Sequence, residues 1–161
     1  MLLSLLIAGV LWREPRVPAR EDSLFVMFWN IENFFDWRKD PVLDNPSEEE
    51  FTSMGKKHWT KAKFNRKCQA IAKTVFYLAD EHGLFPDIIG LAEVENRFVL
   101  ERLLSETSLR RMDYGIVHRD SPDPRGIDVA LLYRKNRLKL LRTKAIKVES
   151  QNGRLLLTRD I

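Results

Sequence analysis

Residues 24 to 92 hold two short apolar runs separated by one long helical period, and that order leaves few folds open. Residues 24–29 (LFVMFW) are rich in aromatic and β-branched side chains and read as a strand buried on both faces. Phe64, Cys68, Ile71, Ala72, Val75, Leu78 and Ala79 then recur at spacings of three and four. This predicts an amphipathic helix with Thr60 as its N-cap and Gly83 near its end. Residues 87–92 (DIIGLA) form a second short apolar strand, and Val99, Leu100, Leu103 and Leu104 mark one face of a second helix. The pattern then turns β. Strands are predicted at 114–118, 127–133, 138–148 and 154–161, with turns at 121–126 and at Gln151-Asn152-Gly153. Strand, helix, strand, helix and then hairpins describe a mixed α/β (α+β) chain.

Composition limits the rest. At 161 residues the chain is close to the size of one hydrophobic core, and 44% hydrophobic with 31% charged residues is globular. The single cysteine, Cys68, excludes an internal disulfide framework and a Cys-rich zinc site. The net charge of +4 is too mild to identify a partner. Residues 2–12 are apolar except for Ser4 and Gly9. They are too short to span a bilayer, which takes about 20 residues, but fit the core of a secretory signal, with a candidate cleavage point near Ala19. Residues 1–20 are therefore expected to direct export and to contact a membrane only if uncleaved. No basic residue precedes the run, so a buried segment is the alternative.

Both apolar runs end in polar side chains: Asn30, Glu32 and Asn33 after the first, Glu93 and Glu95 after the second. A carboxylate aimed from a strand end suits Mg²⁺, which takes one or two protein carboxylates beside waters and phosphate oxygens. The plain alternative is that these residues merely begin loops, and residues 36–50, with their acids and prolines, read as a solvated loop. His58, His82 and His118 have no second His or Cys at ligand spacing, which speaks against zinc. The basic stretches at 56–73 and 134–147 read first as outer faces of a helix and of strands.

Phe28-Trp29-Asn30-Ile31-Glu32-Asn33, residues 87–96 (DIIGLAEVEN), Arg125-Gly126-Ile127-Asp128 within 114–134, and Thr158-Arg159-Asp160 occur in this order. Together they resemble the endonuclease/exonuclease/phosphatase superfamily, which includes deoxyribonuclease I, abasic-site endonucleases, sphingomyelinases and inositol-phosphate phosphatases. The likeness covers residues 24–161 and implies the N-terminal part of a four-layer α-β-β-α sandwich of the deoxyribonuclease I type. It implies a nuclease-like phosphodiesterase using Mg²⁺ or Mn²⁺ on a phosphoester substrate such as DNA or RNA, without a stable protein partner. A phosphatase, a lipid phosphodiesterase or a non-catalytic remnant of the fold are the alternatives.

Carried over by position, Glu93 matches the family's metal-binding glutamate, and Glu32 falls where some members place an acid near the metal. Asn30 matches an asparagine that positions phosphate and catalytic groups. Arg159 matches a phosphate-contacting arginine, and Arg125 lies where relatives place a phosphate-facing side chain. Ala92 departs from the glutamine that many relatives carry. The family's base comes from an Asp-x-Asn pair and an Asp-His pair, neither of which occurs in these residues. The 161-residue chain by itself is therefore expected to be nearly inactive and, with an unfinished sheet edge, to aggregate.

Overall fold

A computed structural model describes residues 23–38, 50–121, 123 and 125–146. The apolar segment at 1–20, the turn at 151–153, the strand expected at 154–161 and Arg159 lie outside the described residues.

Four strands form one mixed sheet: β1 (Val26–Phe34), β2 (Ile88–Val94), β3 (Tyr114–His118) and β4 (Asp128–Arg134), in the order β1-β2-β4-β3. β1 and β2 run parallel, whereas β4 is antiparallel to both of its neighbours. A parallel pair needs a crossover, and α1 (Lys61–His82) supplies it. Its ends are set locally. The Thr60 side chain accepts the Lys63 N–H at 3.3 Å, and Gly83 closes the helix in the left-handed region at φ 75°. α2 (Arg97–Glu106) is capped in the same manner by Asn96, which accepts the Val99 N–H at 3.1 Å. A 3₁₀ turn (Ser108–Arg111) leads from α2 into β3.

The core lies between the helices and one face of the sheet. Phe64, Cys68, Ile71, Ala72 and Val75 of α1 and Val99, Leu100 and Leu103 of α2 cluster with Ile89, Leu91, Ala130 and Leu132. Burial of Cys68 pushes its thiol up from its ordinary 9.0 to about 12. A neutral thiol therefore stabilises the fold fully below pH 9, and that contribution is lost as pH rises from 9 toward 12. At pH 8 native Cys68 should hold about 10³-fold less thiolate than a free cysteine. Iodoacetamide is accordingly expected to label it in urea and hardly at all in native buffer, which mass spectrometry reads directly.

Two expectations need correction. Residues 24–29 are not buried on both faces: β1 is an edge strand of the described sheet, and Leu24, Val26 and Phe28 are exposed, Phe28 by 72%. Met27 and Trp29 turn inward against the core. The run is apolar on both sides, and the described helices cover only the inner one. On that outer face the Phe28 ring lies over Gly90, where an added Cβ would meet its Cδ2 at 2.7 Å, so the glycine admits the ring. The second correction concerns residues 138–146, which form no strand. Instead Arg137, just before them, donates to buried Asp87 at 3.2 Å and to the Ser23 carbonyl at 3.1 Å. Asp87 also accepts the Phe25 N–H at 3.0 Å, so this arginine ties the start of β1 to β2.

Candidate active site

Asn30, Glu32 and Asn33 do not follow the first strand; they lie within β1. Asn30 pairs with Ala92 and Phe34 with Val94, so four steps along β1 match two along β2. Against β4 the excess is on β2, since Val129 faces Ala92 and Asp128 faces Val94, which leaves Glu93 as the extra residue there, while against β1 the excess lies in Ile31, Glu32 and Asn33 opposite Glu93. Glu93 takes φ 63°, and Glu32 and Asn33 take 54° and 52°. Left-handed backbone at three non-glycine residues costs of order 1 kcal/mol each and marks a site held in place by its surroundings. Bulges of this kind re-aim side chains.

The side chains that hold this geometry are those flagged by the sequence. Glu93 accepts from the Asn30 amide through Oε1 and from the Asn33 N–H through Oε2, both at 3.0 Å. The Asn30 carbonyl oxygen accepts the Glu32 N–H at 2.9 Å, which fixes the amide with its NH₂ toward the carboxylate. Lys67 of α1 donates to the Glu32 main-chain carbonyl. Burial draws the Lys67 ammonium below its ordinary value, against the opposing pull of the Glu32 and Glu93 carboxylates.

Glu93 opens onto a cleft of about 320 Å³. Asn33, Glu50, Lys57 and Arg125 supply its polar wall, and Phe35, Phe51 and Ile127 its apolar one. Phe35 stacks on Phe51 at 4.2 Å, and the Trp59 indole N–H donates to the Phe35 carbonyl at 2.8 Å, so residues 50–59 are fastened to the end of β1. Arg125 is half exposed and clamped on the fully buried Asp123, with N–O distances of 2.7 and 3.0 Å. That hydrogen-bonded carboxylate raises the Arg125 pKa further, with the Glu93 charge adding to it. The guanidinium is thus a permanent cation held on the cleft wall.

The fold therefore brings together three of the five expected site residues, Asn30, Glu93 and Arg125. Glu32 joins the group through its backbone and does not line the cleft, and Arg159 lies outside the described residues. Sequence reading missed Lys67, Asp123 and the Asn33 N–H. Lys67 sits beside Cys68 at the rim of the apolar helix face, which was its only signal. Residues 36–38 are not solvated loop: Asp36 is buried, accepts from Arg38 at 2.7 Å and gives its N–H to Glu95 at 2.6 Å. His118, isolated in the sequence, lies beside Asp120 and Asp128 in space.

The Glu93 carboxylate, a hard oxygen donor facing a cleft that Glu50 also lines, fits Mg²⁺ or Mn²⁺. Residues 25–161 match the family model described as Endonuclease/Exonuclease/phosphatase family. No curated protein and no solved structure matches the chain.

Proposed function

Because the chain belongs to the endonuclease/exonuclease/phosphatase family, a superfamily of phosphoesterase and nuclease type, we propose that it is a metal-dependent phosphodiesterase acting on DNA or RNA. The observation that carries this reading is the double bulge, which presents the Glu93 carboxylate to the cleft that Arg125 lines. Glu93 would hold Mg²⁺ or Mn²⁺ in this cleft, which the Glu32 side chain does not line. The ion supplies Lewis-acid polarisation of a phosphoryl oxygen when bound.

The remaining roles belong to this chain's own groups. Asn30 and the Asn33 N–H fix both carboxylate oxygens, so the carboxylate is oriented before any ligand arrives. Arg125 presents N–H donors to a phosphate diester and stabilises the charge that gathers on its oxygens as the phosphorus is attacked. Arg159 is proposed as a second such donor. Lys57 on the same wall adds a point charge for the nucleic-acid backbone.

Mg²⁺-dependent binding of a phosphorothioate duplex tests the reading without requiring turnover. Log affinity is expected to fall linearly with log salt concentration. Arg125→Gln, which keeps a donor for Asp123 while removing the cation, should weaken binding by about tenfold and reduce the salt slope by about one. Affinity indifferent to Mg²⁺ and to Arg125→Gln, or preference for phospholipid vesicles over the duplex, overturns the nuclease reading.

A further inference from the structure

The hairpin between β3 and β4 carries Arg125 to the cleft, and its two ends hold a group of side chains that the proposed chemistry does not use. His118 ends β3 and Asp128 begins β4. Their side chains are only 2% and 4% exposed, with His118 Nε2 lying 3.2 Å from Asp128 Oδ2. The two atoms do not meet hydrogen-bond geometry, and His118 Nε2 has no hydrogen-bond partner. Asp128 is nevertheless firmly oriented, because its other oxygen accepts the Ser121 N–H at 2.9 Å. Asp120, exposed at the hairpin mouth, brings a third donor, and one ligand atom from each residue lies within 4.8 Å of the other two.

We infer that His118, Asp120 and Asp128 form a second cation site, separate from the Glu93 cleft, for a divalent ion of the Zn²⁺ class. Two carboxylates and a neutral imidazole carry a charge of −2 that a divalent ion neutralises. A buried ring nitrogen left without a hydrogen-bond partner is destabilising, and coordination to an ion removes that cost. One nitrogen and two oxygens form a borderline set that favours Zn²⁺ over Mg²⁺, which prefers oxygen alone. Donor atoms on tetrahedral zinc lie about 3.4 Å apart, a closure within reach of the exposed Asp120 side chain. None of the three residues lines the Glu93 cleft. The ion's role is structural: it joins the two ends of the 119–127 hairpin and so steadies Arg125.

Equilibrium dialysis against Zn²⁺ in excess Mg²⁺, with bound zinc counted by elemental analysis, tests this independently of any hydrolysis. About one zinc per chain is expected for the wild-type protein and equally for Glu93→Gln. Asp120→Asn, a surface change that leaves the fold intact, should weaken zinc binding by at least about tenfold, and His118→Gln by no less. Retention of no zinc, or zinc binding unchanged by Asp120→Asn, overturns the inference. Loss of zinc in Glu93→Gln also overturns it, by assigning the ion to the cleft.

Discussion

Glu93→Gln is expected to lower Mg²⁺-dependent phosphodiester hydrolysis by the full-length protein by about 10²- to 10³-fold in kcat. The same variant should unfold within about 1 kcal/mol of wild type. The two effects separate because Gln keeps the shape of Glu and loses its charge. Both carboxylate oxygens accept a donor, Asn30 on one side and the Asn33 N–H on the other. A glutamine can accept through only one oxygen, so one of these bonds becomes a donor facing a donor, which sets the modest loss of stability. Function suffers more, because a neutral amide is a poor ligand for a hard dication. Glu93→Gly sharpens the contrast. It removes the left-handed strain at φ 63°, of order 1 kcal/mol, and should unfold no earlier than the Gln variant while being as inactive. Kinetics across a Mg²⁺ titration and urea unfolding of both variants supply the check. An active Glu93→Gln would remove Glu93 from the chemistry, and a collapsed one would make it a structural residue.

Local signals were legible in the sequence where the physics is local. Thr60 and Gly83 bracket α1 because capping depends on a few adjacent residues, and the three-and-four spacing from Phe64 to Ala79 needs only the helix itself. Asn30 and Glu93 were legible as polar groups after apolar runs, and their resemblance to family motifs gave them roles. What placed them in contact was not legible, since the bulges depend on the register between strands far apart in sequence, such as Phe34 with Val94 and Val94 with Asp128. Glu32 and Glu93 at positive φ leave no mark in the sequence, as no glycine stands there. Asp36 falls in a stretch that reads as solvated loop, and Asp123 in a predicted turn. Each became buried because an arginine two residues later folds back on it. The order β1-β2-β4-β3 also escaped, because sequence periodicity gives a strand its faces and not its neighbours.

The bulges around Glu93 rest on packing that a second variant should expose. Phe64→Ala is expected to destabilise the fold by about 3–5 kcal/mol, the range for deleting a fully buried aromatic ring. Phe64 is 0% exposed, stacks parallel on Phe34 at 5.4 Å and meets the Trp37 ring at 4.7 Å. Phe34 is the residue at which β1 rejoins β2 after the bulge, paired with Val94 immediately beyond Glu93. A cavity at Phe64 therefore lies behind the strained segment, and a segment held at positive φ by its surroundings relaxes when they give way. Mg²⁺ affinity should accordingly fall in Phe64→Ala even at temperatures where the chain remains folded. Tyr77→Ala on the same helix is the control, because Tyr77 is 68% exposed and its loss should stay within about 0.5 kcal/mol. Urea unfolding paired with Mg²⁺ titration of the native state distinguishes the outcomes. Equal Mg²⁺ affinity in wild type and Phe64→Ala would mean that hydrogen bonds from Asn30 and Asn33 suffice to hold Glu93, and that the aromatic layer beneath contributes stability alone.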